Sequence, residues 1–205
     1  MTETIDYNAL SKALSSRRFL PELYDTAEEA KAAALRIIGG KSVGIGGSAT
    51  VRDMKLAEAL QANGNKVAWH WLVPKEAKKA ARDEALKTDV YLCSTNALTI
   101  DGKLVNIDGT GNRAAGMVYG PPEVIVIVGR NKIVESLDEA LERIKRYACP
   151  PNARRQAFDT PCARTGRCYD CRTEERMCNV TFILEAPTKP VKAFHVLIVK
   201  EDLGL

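Results

Sequence analysis

The chain has only two histidines, a net charge of just +4, and no uninterrupted apolar stretch close to the length of a bilayer-spanning helix. A transmembrane helix needs roughly 20 predominantly apolar residues, so no membrane span is expected. Lys and Arg are interspersed with Asp and Glu, which leaves no basic stripe to follow a nucleic-acid backbone. His70 stands in Trp69-His70-Trp71 and His195 alternates with Phe194 and Val196. Both settings are strand-like, so each histidine reads as a packed or edge residue rather than a base. No Ser/His/Asp order and no His-x-Glu deaminase signature is found. Internal repeats and low-complexity tracts are missing as well. The stretch from Met1 to Phe19 is polar and helix-like, without the apolar centre of a secretory leader, so reduced thiols and a cytoplasmic location are expected.

What is there in excess is cysteine in one place. Cys162, Cys168, Cys171 and Cys178 fall in the segment CARTGRCYDCRTEERMC, together with Arg164, Arg167, Arg172 and Arg176. Four thiolates around a 4Fe–4S cluster gather negative charge, which neighbouring guanidinium groups offset. The spacing Cys-x5-Cys-x2-Cys-x6-Cys contains one close pair and two longer arms, whereas a zinc ribbon usually has two Cys-x2-Cys knuckles. A cubane accepts one thiolate per corner from irregular loops, and Gly166 lets the backbone wrap closely. The expected cofactor is therefore a 4Fe–4S cluster, with zinc as the alternative and disulfides or free thiols behind them. Cys149, before Pro150, is a fifth candidate ligand, and Cys93, at a strand end, reads as a small buried apolar residue rather than a reactive thiol.

At 205 residues with 45% hydrophobic content, the chain suits one α/β domain with an appendage. Strand and helix patterns alternate, which predicts an open parallel or mixed sheet flanked by helices. A helix is predicted over Tyr7–Arg17, and Thr26 with Glu29 forms a capping box for a second that ends at Gly39-Gly40. Ser42–Ile45 is the first strand, Thr50 opens a helix running to Gly64, and Lys66–Leu72 is a strand followed by a charged helix over Lys75–Lys87. Asp89–Cys93 is a further strand. Ala97–Val105 reads as a hairpin turning at Asp101-Gly102. Glu123–Val128 is a continuous β-branched run, expected as a central strand buried on both faces. Ser136 caps a helix that Pro150-Pro151 closes. Val180–Leu184 and Phe194–Val199 return to strand pattern. Three segments follow: 1–148 an α/β domain, 149–179 a Cys-rich cluster-binding segment, and 180–205 terminal strands packing on the main domain.

A second constellation lies in the loops after the strands. Gly44, Gly46, Gly47, Ser48 and Thr50 sit between a strand and a helix start, where free N–H groups attract an anion; the plain alternative is a tight turn with Ser48 as N-cap. Small polar residues recur after later strands, at Ser94, Thr95 and Asn96, and from Asn106 through Asp108, Gly109, Thr110 and Gly111 to Asn112. Ligands of open α/β sheets settle outside the carboxyl ends of the strands. Asp108, Asn96 and Asn112 are thus candidate catalytic residues, with Asp108 as a base. Gly46, Gly47, Ser48, Thr50, Asn106, Gly109 and Gly111 are candidates for binding a ligand or cofactor. A solvated turn is the alternative for Asp-Gly-Thr-Gly. Arg113 and Lys132 read by default as surface cations, with contact to a substrate carboxylate as the alternative for each.

The run STNALTIDGKLVNIDGTGNRAAGMVYGPPEVIVIVGRNKIV, with GIGGSAT upstream, resembles the LUD domain family of lactate-utilisation proteins, formerly a domain of unknown function. The resemblance covers most of Met1 to Tyr147. Gly-Arg-Cys-x-Asp-Cys resembles a subgroup with an iron–sulfur cysteine motif after the domain. The resemblance implies a fold like that of ribose-5-phosphate isomerase, glucosamine-6-phosphate deaminase and the CoA transferases, which bind anionic substrates at their strand ends. Where type I CoA transferases carry a nucleophilic Glu, this chain has Thr95, so acyl transfer by that route is not expected. Family members of this type are implicated, with iron–sulfur partner subunits, in oxidising L-lactate to pyruvate. The expected function is an iron–sulfur protein acting on or binding a small anionic organic acid, with the cluster relaying electrons or ordering the pocket. Two alternatives stand beside it: a non-catalytic subunit that docks a redox partner protein, and an isomerase- or hydrolase-like enzyme with a structural metal centre. The substrate, the electron acceptor and any homo-oligomer are not legible.

Overall fold

The β-branched runs of this sequence come together in the computed structural model, which describes residues 5–205, as the middle of a six-stranded sheet. Residues 1–4 of the expected polar, helix-like N-terminal stretch lie outside the described residues. The strands in chain order are β1 Leu20–Tyr24, β2 Val43–Ile45, β3 Val67–Trp69, β4 Val90–Cys93, β5 Ala97–Thr99, β6 Leu104–Asp108, β7 Glu123–Gly129, β8 Ile133–Val134, β9 Val180–Leu184 and β10 Ala193–Val199. The main sheet has the order β1-β10-β7-β4-β2-β3, with parallel pairings throughout. Ile125 of β7 stands level with His195 and Leu92, so the central strand is flanked on both sides.

Alternation along β7 explains why its apolar run is continuous. Ile125 and Ile127 feed a core beneath one face with Leu197 and Val199, whereas Val124, Val126 and Val128 feed the opposite core with Phe194, Val196 and Ile198. Side chains on a strand point to alternate faces, so a strand covered on both must be apolar at every position. One face is covered by α2 Ala27–Ile38, α3 Ala49–Asp53 and α4 Leu56–Ala62, which supply Ala30, Ala34, Val51 and Leu60. The other is covered by α1 Tyr7–Ser16, α5 Lys78–Ala85 and α6 Asn112–Tyr119, which supply Leu10, Leu14, Ala85 and Met117. The capping box of α2 forms as its residues predict, with the Thr26 hydroxyl accepting from Glu29 N–H and the Glu29 carboxylate accepting from Thr26 N–H. No helix among the described residues is long and apolar enough to cross a membrane.

A smaller sheet of order β8-β5-β6-β9 lies beside the carboxyl end of the main one. It carries α7 Leu137–Arg143, α8 Cys149–Arg155 and a satellite core of Val105, Ala140, Ile144 and Cys149. A short α9, Pro161–Thr165, follows.

Several expectations are corrected. The helix over 50–64 is two helices, because Lys55 adopts a left-handed φ of 52° between α3 and α4. Only Val67–Trp69 of the expected 66–72 strand is extended, and the remainder turns over the sheet end. The hairpin strand ending at Val105 runs on to Asp108, because β9 pairs with it over its full length. Pro150-Pro151 does not close a helix. A five-residue π-helical turn, Ile144–Ala148, leads directly into α8, whose first turn contains both prolines; a missing N–H costs nothing there. β1 and α6 were not expected at all. β1 is an edge strand carrying Pro21 and Glu22, and α6 begins at Gly111, whose φ of 78° only glycine adopts freely.

Candidate functional site

The loops that leave β2, β4 and β7 meet at the carboxyl end of the main sheet and form the floor of a cleft of about 310 Å³. Gly47, Ser48 and Thr50 come from the first loop, Ser94, Thr95 and Asn96 from the second, and Lys132 from a 3-10 turn after the third. The roof is built from α8 and from Glu174–Met177 of the Cys-rich segment.

Lys132 is the floor's central group. It is 3% exposed, and its Nζ donates to Thr50 Oγ1 at 2.8 Å and Ser94 Oγ at 2.9 Å. Its partners are thus hydroxyls rather than carboxylates. Burial, reinforced by the positive Arg143 and Arg113 nearby, pulls the amine down to about 7. A buried ammonium without a counter-ion is costly, so a ligand anion arriving beside Nζ would supply the missing charge.

Arg113 and Asp108 form a buried ion pair along one wall. Arg113 donates from Nη2 and Nε to Asp108 Oδ1 at 2.6 and 2.9 Å, and Asp108 Oδ2 accepts the Ala114 N–H in the first turn of α6 at 3.0 Å. The guanidinium also donates to Ser94 O, Asn96 Oδ1 and Ile107 O. Asn96 Oδ1 accepts the Ile107 N–H as well, at 3.0 Å. Asn106 stands one layer deeper: its Oδ1 accepts from Thr95 Oγ1 and Asn96 N–H, each at 3.0 Å, while its buried Nδ2 has no partner. Ser48 caps α3 by accepting the Val51 N–H at 3.2 Å.

The rim is aromatic and cationic. Trp71 stacks on Trp69 with centroids 5.1 Å apart, and the Arg155 guanidinium lies 4.6 Å from the Trp71 ring centre. Burial and the nearby Arg82 and Lys78 bring His70 down to about 4, so it is a neutral imidazole in the cleft wall.

A second cavity, of about 120 Å³, adjoins the cleft, and Ile107, Cys149, Arg176 and Met177 line both. Five cysteines face it: Cys149, Cys162, Cys168, Cys171 and Cys178. None is disulfide-bonded. Cys178 Sγ and Cys149 Sγ are 3.4 Å apart. This contact holds the Cys178 thiol low, aided by Arg176 and Lys145, and raises that of Cys149. The remaining thiols are more widely set, and among the described residues no three His, Cys, Asp or Glu side chains are gathered closely enough to hold a metal ion. Arg176 braces the segment by donating to Cys171 O at 2.6 Å and Cys178 O at 2.9 Å. Of the four arginines in the cysteine run, it alone lines the thiol cavity. Cys93 is separate from all of these, fully enclosed in the core and pushed up to about 12 by burial.

The sequence profile of the LUD domain matches residues 7–199. The chain belongs to the LUD domain family. No curated protein sequence matches it. A crystal structure of a DUF162 family protein from Deinococcus radiodurans superposes with a TM-score of 0.55 at 15% sequence identity, over 94% of each chain. At that identity the likeness is one of fold.

In this LUD domain, Gly47, Ser48, Thr50, Asn96, Asp108, Gly109 and Asn112 line the cleft, whereas Gly46 and Asn106 are buried and, like Gly111, do not line it. Gly46 instead accepts the Trp69 indole N–H through its carbonyl at 3.0 Å. Asp108, expected as a base, has both carboxylate oxygens engaged, Oδ1 by Arg113 and Oδ2 by the Ala114 N–H. Arg143 was missed. It is buried and donates to Asn131 O and Asn96 O, both at 2.7 Å, tying α7 to the floor. Its position in an ordinary helix end offers no sequence signal. Lys132 and Arg113, expected by default on the surface, are both buried in the cleft walls, because the fold brings the loops after β4, β6 and β7 together there.

Proposed function

We propose that this LUD-domain protein binds a small organic acid of the 2-hydroxy or 2-oxo carboxylate class in the cleft, and that its Cys-rich segment holds a 4Fe–4S cluster beside it, as a component of 2-hydroxy-acid oxidation. The single observation that carries the acid-binding half is Lys132, a buried amine held by two hydroxyls and, among the described residues, in salt-bridge contact with no carboxylate. Ser94 and Thr50 present the same Nζ with acceptors that rotate to suit either charge state, so a bound carboxylate gains a cation without displacing a salt bridge. Arg113, kept in place by Asp108, closes the wall with Asn96 and excludes water from that side.

Five thiols on one small cavity suit a thiophilic centre, since thiolates are the ligands of iron–sulfur clusters and of structural zinc. Their spread suits a site that closes when metal binds, because binding and local ordering are coupled. A cluster there would supply a one-electron acceptor next to the acid. Arg176 would hold its loop through the Cys171 and Cys178 carbonyls and contribute positive charge.

Two measurements test the proposal. Protein purified without oxygen is expected to contain iron and labile sulfide in similar amounts; stoichiometric zinc without sulfide would overturn the cluster. Thermal-shift titration with lactate, pyruvate and sugar phosphates is expected to favour the first two. A response to sugar phosphates alone would favour an isomerase-like enzyme.

A further inference from the structure

Outside the Cys-x5-Cys-x2-Cys-x6-Cys run, Cys149 opens α8 and is 6% exposed, packed in the satellite core with Ile144 and Ala148. We infer that Cys149 is a ligand of the metal centre and forms the covalent side of the wall between that centre and the acid-binding cleft. The inference rests on the metal-binding half of the proposed function.

Three independent observations carry it. The first is convergence, since Cys149 Sγ lies 3.4 Å from Cys178 Sγ, in hydrogen-bond contact without a disulfide. The second is the backbone that aims it. The π-helical turn Ile144–Ala148 inserts one extra residue just before Cys149, and such bulges turn the next side chain to a new direction, often at functional sites. Pro150 and Pro151 then fix the first turn of α8, so the thiol projects from rigid chain, unlike Cys168, Cys171 and Cys178 in loops. The third is position, because Cys149 is the one thiol that lines both cavities. Its buried counterpart Cys93 has none of these features and serves as the control.

A rigid helical ligand gives the centre an anchor that exists before the loop closes. The loop thiols then complete the coordination, and a change at the centre reaches the cleft through a ligand that lines both.

The test compares wild type, Cys149→Ala and Cys93→Ala, each purified and reconstituted without oxygen, for iron, zinc and sulfide per chain. Circular dichroism of the metal-free forms checks folding. Cys149→Ala is expected to lose most of its metal while Cys93→Ala keeps it. In a second measurement that needs no variant, Cys149 of the metal-loaded wild type should resist alkylation under native conditions and become modified after chelation. If Cys149→Ala holds as much metal as wild type, or if Cys149 alkylates equally before and after chelation, the inference is overturned while the cluster proposal stands. Zinc without sulfide in the wild type, lost in Cys149→Ala, would support the ligand and overturn the iron–sulfur assignment. No metal in reconstituted wild type overturns both.

Discussion

The floor and the roof of the cleft are built in opposite ways. On the floor, Lys132, Thr50, Ser94, Thr95, Asn106, Asp108 and Arg113 are all buried and joined by direct hydrogen bonds on strand ends. In the roof, residues 166–179 form no regular helix or strand. They are tied down mainly by Arg176, and by Asn179, whose backbone N–H donates to Asp108 O and whose Nδ2 donates to Gly109 O. The floor is held by a closed set of buried hydrogen bonds, whereas this part of the roof is irregular chain held by few side-chain contacts. Low-stability segments of this kind open locally without disturbing a core sheet.

The largest effect that would break this contrast is expected at Arg113. Arg113→Met leaves Asp108 buried without its partner, and breaking a buried pair in this way costs about 3–5 kcal/mol. Urea denaturation should show that loss, and a change below about 1 kcal/mol would mean that the floor is not preorganised through this pair.

Lys132→Met comes next. It is expected to weaken binding of a carboxylate probe such as lactate by about tenfold or more in calorimetry, the scale of a charge-assisted contact, with little loss of stability. It also has a pH signature. Lys132 is lowered to about 7 in the folded state from the ordinary lysine value of 10.5. Between these values the unfolded chain binds the extra proton, so its contribution makes stability rise with pH from about 7 to about 10.5, the direction linkage requires. Lys132→Met should flatten that part of the wild-type pH–stability curve. Parallel curves would show that the amine titrates normally.

Metal removal sharpens the comparison from the other side. Chelation is expected to raise hydrogen exchange in residues 159–179 while β7 and β10 stay protected. Equal loss of protection in the sheet would make roof and floor one cooperative unit. The smallest effect is expected at the rim, where Arg155→Ala removes the guanidinium over Trp71 and should cost about 0.5–1 kcal/mol in denaturation, with tryptophan fluorescence reporting the change.

Much of the fold was legible in the chain. The β7 run, the strands around it and the capping box of α2 depend on residues close in sequence. So does the place where polar loops gather, because ligand loops follow from strand ends. The edge strand β1 was not legible, since Pro21 and Glu22 break the strand pattern, and α6 was hidden by its glycines. The two prolines after Cys149 gave a misleading stop because their cost depends on where in the helix they fall, and the preceding π-helical turn puts them in the first turn.

The amino-acid sequence alone determined the alternation of strands and helices, the cysteine run and the identity of the polar loop residues, because periodicity, capping and spacing are properties of near neighbours. Only the tertiary structure decided that Lys132 is buried between Thr50 and Ser94, that Asp108 is bound to Arg113 rather than free, and that Cys149 faces Cys178. The first and the last join residues far apart in sequence, Lys132 through the strand order of the main sheet and Cys149 through the return of the Cys-rich segment, whereas Asp108 and Arg113 are near neighbours whose pairing and burial are set by the turn into α6.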